Sequence, residues 1–234
     1  MNNYKYNIVA FVTVAIWGST FISTKVLIIN GLSPAQIFTI RFIMAYVLML
    51  AFSHKKLLAD NIKDEMLMLA LGITGGSAYF LTENEALRFS TATNVSLIVC
   101  SCPLFTTILF RLFVKGTRLS IWQVVGTVLA FVGMAAVVLN GQFVLHLSPL
   151  GDSLAFGACL CWAVYSILMK LVTDKYSSAF ITRKVFFYGI LTILPYFIWE
   201  PAFPSMNVLL RPNVLSNLLF LGCIASMLCF LTWT

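Results

Sequence analysis

Eight apolar runs, each close to the length of a bilayer crossing, divide the sequence at residues 8–29, 34–53, 66–86, 92–114, 121–140, 151–172, 179–199 and 214–234. A helix rising about 1.5 Å per residue needs about 20 apolar residues to cross roughly 30 Å of hydrocarbon. Inside hydrocarbon every backbone N–H and C=O must find a partner, and a helix satisfies them within its own segment. The runs therefore predict an all-α membrane protein, a polytopic helical bundle with about eight helices. Composition agrees: 60% of the 234 residues are hydrophobic and only 10% are charged, where soluble domains carry about a quarter charged residues. The first run is longer than the apolar core of a signal peptide and lacks its small-residue cleavage pattern, so it reads as a retained span.

A net charge of +7 in a soluble chain would point to nucleic acid; here the basic residues sort by connection instead. Lys5 precedes the first run, Lys55, Lys56 and Lys63 lie in the second connection, Arg111, Lys115 and Arg118 in or beside the fourth, and Lys175, Arg183 and Lys184 in or beside the sixth. The other connections carry Arg88 and Arg211. By the positive-inside rule this alternation places the N-terminus in the cytoplasm. The expected partners are the lipid bilayer and a small-molecule substrate, with no nucleic acid. Cys100, Cys102, Cys159, Cys161, Cys223 and Cys229 all fall in spans and read as small apolar fillers; the two Cys-x-Cys pairs have no histidine at metal-site spacing, so neither metal nor cofactor is expected. His54 and His146 lie in connections without ligand or nucleophile spacing.

The strongest internal signal is a repeat. "WGSTFISTK" at 17–25 and "WAVYSILMK" at 162–170 share the Trp-to-Lys spacing at an offset of 145 (162 − 17). Arg41 in "TIRF" meets Arg183 in "ITRK" at 142 (183 − 41), and "LG" at 71–72 with "FLT" at 80–82 recurs at 221–222 and 230–232, an offset of 150 (230 − 80). The first unit, residues 1–140, holds five spans, and an odd number turns the second unit over. The expectation is an inverted five-plus-five helix repeat, with residues 150–234 supplying three of the second five helices and a continuation of the repeat running to roughly residue 290.

"WGSTF" in the first span, Arg41 opening the second, "ENEALRFSTATNVSLI" joining the third and fourth, "CPLFTTIL" in the fourth, "QVVGTVLAFVGMAAVVL" in the fifth and the recurrence from Trp162 are similar, in that order, to the EamA-like family of the drug/metabolite transporter superfamily. The resemblance covers nearly the whole chain. It implies a ten-helix bundle with halves related by a pseudo-twofold axis in the membrane plane, exporting small organic metabolites such as amino acids across the plasma membrane by alternating access. One departure is "VKGTRLSIW", basic where the family usually has an acidic residue before the fifth helix.

Ionisable residues at membrane depth are functional candidates whose partners must be named. Lys25, about four residues from the outer end of its span, either snorkels to the headgroups or points into the bundle. Gly72, Gly76 and Glu83 fall on one face of a straight helix, and that face is expected to pack inward. Glu83 is assigned to Lys25 or to Arg41, against the alternative of a headgroup-level pair or Glu85 with Arg88. Lys170 and Arg183 mirror Lys25 and Arg41, while Trp233 stands at the position equivalent to Glu83. Trp17 lies near mid-span, where it stacks on a substrate or packs in the core. Asn94 and Ser101 share a face of the fourth span beside Pro103, which is expected to bend it; Asn94 holds a substrate polar group or a neighbouring helix. Tyr79 completes the candidate set. Asp152 is read as the cap of the sixth span.

No Gly-x-x-x-x-Gly-Lys-Ser/Thr loop is present to couple ATP, so an ion or solute gradient is the expected driving force, with a proton at Glu83 as one candidate. No cluster of catalytic His, Asp or Glu is seen, and no enzyme activity is expected. The alternatives are a membrane enzyme acting on lipid-linked substrates and a non-transporting membrane scaffold.

Overall fold

The computed structural model describes residues 3–54, 56–113, 120–139, 148–199 and 203–233; Lys55, Lys115, Arg118 and His146 lie outside them. Among the described residues seven helices are long and apolar enough to cross a membrane. They are α1 (Asn3–Ile29), α2 (Pro34–Phe52), α3 (Ile62–Phe89) and α4 (Ala92–Phe113), α6 (Pro149–Lys170), α7 (Ser178–Ile198) and α8 (Pro212–Trp233). Between α4 and α6 lies a further apolar helix, α5 (Ile121–Leu139), and no described residue is in a strand.

The ends of these helices follow from local chemistry. After α1, Gly31 takes a left-handed conformation at φ 92°, which glycine adopts without steric cost. Its N–H reaches the Ile28 carbonyl at 3.0 Å and the Leu32 N–H reaches the Leu27 carbonyl at 3.1 Å, a Schellman closure. Two residues later Ser33 starts α2 with a reciprocal box: its Oγ accepts from the Gln36 N–H at 3.3 Å and Gln36 Oε1 accepts from the Ser33 N–H at 3.0 Å, while Pro34 fills the first helical position.

Three details depart from expectation. Helix α3 begins at Ile62, four residues ahead of the apolar run, because Asn61 caps it and Asp64 and Glu65 occupy its first turn, where carboxylates favour the helix dipole. The cap of α6 is Ser148, whose Oγ accepts from the Gly151 N–H at 3.3 Å; Asp152 accepts from the Ser148 N–H at 3.0 Å and so completes the box from inside the helix. Helix α4 is interrupted at Cys100 and Ser101. Pro103 sits in the first turn of the segment Cys102–Phe113, where its missing N–H has no bond to lose, so the break precedes the proline.

Helices α3 and α7 cross with their backbones in contact. A Cβ built at Gly72 would stand 2.3 Å from Tyr188 Cβ and 3.0 Å from the Gly189 nitrogen, and one at Gly76 would stand 3.2 Å from Gly189 Cα. Small residues permit this approach, and in lipid such close packing replaces the hydrophobic drive. At the same level α3 widens into a π-helical turn over Ile73–Ser77, and α8 does so over Phe220–Leu228. A π turn holds one more residue than an α turn, so the remainder of the helix is rotated by about 100°. Gly72 and Gly76 therefore meet α7, whereas Glu83 faces a cavity that α7 does not line, correcting the single shared face expected of a straight helix.

Phe38, Phe42, Phe80, Phe186 and Phe230 interlock at the centre, with Phe42 making edge contacts to Phe80 and Phe186 at 5.2 and 4.9 Å between ring centroids. Gly72→Ala is expected to destabilise the protein by on the order of 3 kcal/mol through overpacking, read as a lower thermal midpoint in detergent. Gly18→Ala, with nothing within 4 Å of its added Cβ, is the matched control and should leave the midpoint unchanged.

Candidate functional site

A cavity of about 260 Å³ opens among α1, α2, α3, α4, α6 and α8. Seven of its sixteen lining residues are aromatic. Trp17 from α1 meets Trp162 from α6 edge to face at 5.4 Å and Trp233 from α8 at 5.1 Å, and Tyr79 from α3 lies 5.2 Å from Trp162. The Trp17 indole N–H donates to the Ala225 carbonyl at 3.1 Å, inside the π-helical stretch of α8 where the regular ladder is rearranged.

Two charged residues share this apolar wall. Arg41, 1% exposed, donates from Nε to Ser226 Oγ at 2.9 Å and lays its guanidinium over the Phe80 ring at 4.3 Å. Glu83, 5% exposed, accepts the Tyr79 hydroxyl at 2.8 Å on Oε1. The two charges act on one another electrostatically, yet the Arg41 hydrogen bond goes to Ser226 and that of Glu83 to Tyr79. A buried arginine and a buried carboxylate thus border one space without a direct bond described between them.

Of the residues singled out by sequence, Trp17, Arg41, Tyr79 and Glu83 line this cavity, as does Trp233, the repeat equivalent of Glu83. The others lie elsewhere. Lys25 points into the bundle but does not reach Glu83: its Nζ donates to the carbonyls of Leu87 and, at 2.9 Å, Ser90, closing the C-terminal end of α3 where carbonyls are left unpaired and the dipole favours a cation. Lys170 is exposed at the end of α6, 5.8 Å from the Phe110 ring centre. Ser101 Oγ donates to the Ile98 carbonyl within the break of α4, next to Cys159 Sγ at 3.9 Å. Asn94 is buried in the first turn of α4, where its N–H donates to Thr91 Oγ1 at 3.1 Å. Glu85 does pair with Arg88, at 3.7 Å.

The sequence reading missed Trp162, Phe80 and Phe230 as cavity residues, although all three stand in the repeat motifs. The signal was available: Trp162 pairs with Trp17 by offset, and Phe80 pairs with Phe230, whose ring lies 6.2 Å away. Cys100, Cys102 and Pro103 also line the cavity, delivered there by the break in α4.

Fold and site together define a multi-pass membrane protein with a central cavity sized for a small molecule. The sequence profile of the EamA-like transporter family matches residues 4–139. The chain is 27% identical over 235 residues, 99% of its length, to an uncharacterised transporter of Archaeoglobus fulgidus, of which it covers 79%. It is 26% identical over 197 residues, 83% of its length, to a probable amino-acid metabolite efflux pump of Escherichia coli, of which it covers 63%. A solved chain titled only as the crystal structure of a protein shares the fold at TM-score 0.74 and 17% identity, over 99% of this chain and 78% of the other. The chain belongs to the EamA-like transporter family, within the drug/metabolite transporter superfamily; it is a transporter.

Removing the Lys25 ammonium leaves two carbonyls without their donor, so Lys25→Ala should lower stability by about 1–3 kcal/mol. Thermal unfolding in detergent reads this loss, while transport by the surviving folded fraction should match the wild type.

Proposed function

We propose that the protein exports small zwitterionic metabolites, amino acids or their close relatives, across the plasma membrane by alternating access, with the N-terminus in the cytoplasm. The observation that carries this reading is the placement of Arg41 and Glu83 on one cavity, with the described hydrogen bonds going to Ser226 and from Tyr79. An amino acid presents a carboxylate and an ammonium on one carbon. Arg41 offers guanidinium donors beyond the Nε given to Ser226, and Glu83 offers Oε2, for which no donor is described. The surrounding rings accept an apolar or aromatic side chain and attract the ammonium by their faces. Orienting polar groups set in an apolar wall is the usual design of a small-molecule site, although about 260 Å³ falls below the roughly 300–1,000 Å³ of drug-sized pockets.

Names of relatives support the substrate class. Besides the Escherichia coli protein, a probable terminal-alkyne amino-acid exporter of Streptantibioticus cattleyicolor is 24% identical over 222 residues, 94% of this chain and 72% of that protein. Alternate loading of positive charge among the connections supports the orientation. The inverted repeat, with residues 1–140 as one unit and 150–234 as part of the second, is supported by contacts between equivalents, Trp17 with Trp162 and Phe80 with Phe230. The π turns support it too, since Ile73–Ser77 carried forward by the offset of 150 falls within Phe220–Leu228. Near a symmetry axis such equivalents meet, as in other inverted-repeat transporters where the substrate site lies between the halves. A proton taken up by Glu83 is the proposed coupling event.

The test is overexpression of the complete gene, wild type beside Arg41→Gln and Glu83→Gln at matched membrane levels, with metabolite profiling of the medium. One amino-acid-like compound should accumulate outside with the wild type and fall by roughly tenfold or more in each variant, the loss expected when one partner of a desolvated charge interaction is removed. A medium unchanged by the wild type, including after loading with labelled amino acids, contradicts export. Equal export by all three leaves transport standing and removes Arg41 and Glu83 from the site.

A further inference from the structure

We propose that Glu65, Lys184 and Tyr188 form the cytoplasmic gate of this transporter, a contact that closes one end of the bundle and separates when α3 rocks on α7. The proposal rests on the alternating-access reading. Glu65 lies 18 residues before Glu83 on α3 (83 − 65), roughly 27 Å along the helix. Its Oε1 accepts from both Lys184 Nζ and Tyr188 Oη on α7, and its Oε2 accepts from the Ala59 N–H at 2.6 Å. Lys184 is 3% exposed, and none of the three residues lines the cavity.

Flanking contacts tie the same end together. Asp64 accepts from Lys175 at 3.1 Å and Tyr176 at 2.9 Å, both in the connection between α6 and α7. Arg183 donates to the carbonyls of Ser53 and Lys56, between α2 and α3. In the proposed orientation these two connections are cytoplasmic, so every strap lies on one side of the membrane.

Stability alone does not call for such a cluster. A buried ion pair is about even with an apolar pair of the same shape, because desolvation offsets the Coulomb gain. What an ion pair does supply is a contact that breaks into water without leaving an apolar scar, and Glu65 stands one turn from the end of α3, where water is close. Between this contact and the cavity lies the glycine crossing of α3 and α7. Gly72 and Gly76 meet Gly189 backbone to backbone, the Ser77 and Thr192 hydroxyls stand 2.7 Å apart beside that crossing, and the π-helical turn Ile73–Ser77 lies at that level. A rocking motion about this crossing moves Glu65 away from Lys184 and Tyr188 while carrying Tyr79 and Glu83 the opposite way.

Cys100 and Cys102 line the cavity and serve as native reporters. The full-length protein, with Cys161 and Cys223 replaced by alanine, is labelled with a membrane-impermeant maleimide in right-side-out and inside-out vesicles. For Glu65→Gln the rate from the cytoplasmic side should rise about tenfold, as expected for loss of a charged hydrogen bond holding a two-state equilibrium. Tyr188→Phe, which keeps the ring and removes one hydroxyl, should raise it by a smaller factor at an unchanged thermal midpoint, and it decides the matter should Glu65→Gln fail to fold. A purely structural contact would lower the midpoint without changing sidedness. Cytoplasmic labelling within twofold of wild type in the folded variants overturns the gate. The transport reading is tested separately by wild-type export: its absence, with sided labelling still moved by Glu65→Gln, removes transport while leaving the closure in place.

Discussion

A guanidinium held almost fully out of contact with solvent, in a bundle of helices made for hydrocarbon, is the constraint around which the centre of this protein is arranged. Bringing an ion into a low-dielectric interior is expensive unless hydrogen bonds and opposing charge replace its water. Around Arg41 that replacement is assembled from three directions: Ser226 from α8, the face of Phe80 from α3, and the charge of Glu83 one helical turn further along α3. The Arg41 hydrogen bond described is the one to Ser226, and the residue borders a cavity. Glu83 is likewise held by Tyr79 on one oxygen. Two opposite charges bordering one apolar space are the geometry on which the proposed substrate class rests.

The same centre carries the contacts on which the proposed duplication rests, without charge symmetry. Trp17 and Trp162 touch, as do Phe80 and Phe230, and the third helix of each unit widens at the matching level. The widened turn in α8 brings the Ala225 carbonyl to the Trp17 indole, so the feature that disturbs one helix fastens another. The acid, however, exists once: Trp233 stands opposite Glu83 in the repeat and lines the same cavity. Arg183, the counterpart of Arg41, is spent on loop carbonyls at the other end of the bundle. The proposed repeat thus presents an asymmetric site.

Much of this was legible in the residues alone. Span lengths prescribed the helices, because in lipid the backbone has almost no other way to satisfy itself. Arg41 and Glu83 stood out as charges at depth, and Trp17 as an aromatic too far from an interface to anchor there. What the sequence concealed has specific physical causes. Helical-wheel geometry turned Glu83 inward, where it lies, but on the face of Gly72 and Gly76, because the π turn that alters the register has no mark in the sequence. Lys25 is directed by unpaired carbonyls at the end of α3, and carbonyls carry no sequence signature. Glu65 and Asp64 escaped notice because they fall just outside the apolar run, where carboxylates at a helix start are ordinary; their partners Lys175, Lys184 and Tyr188 come from more than a hundred residues away.

Recognition of both charges of one small molecule by this cavity is the claim on which the proposed function stands. Three of the five tryptophans, Trp17, Trp162 and Trp233, line it, so the fluorescence of the purified protein is a direct reporter. Titration with an apolar amino acid should give a saturable change, and the matching amine and carboxylic acid, each lacking one charge, should bind about tenfold or more weakly, since each leaves a buried partner unsatisfied. Equal affinity for all three, or no saturable response to any amino acid by a folded protein, would contradict it.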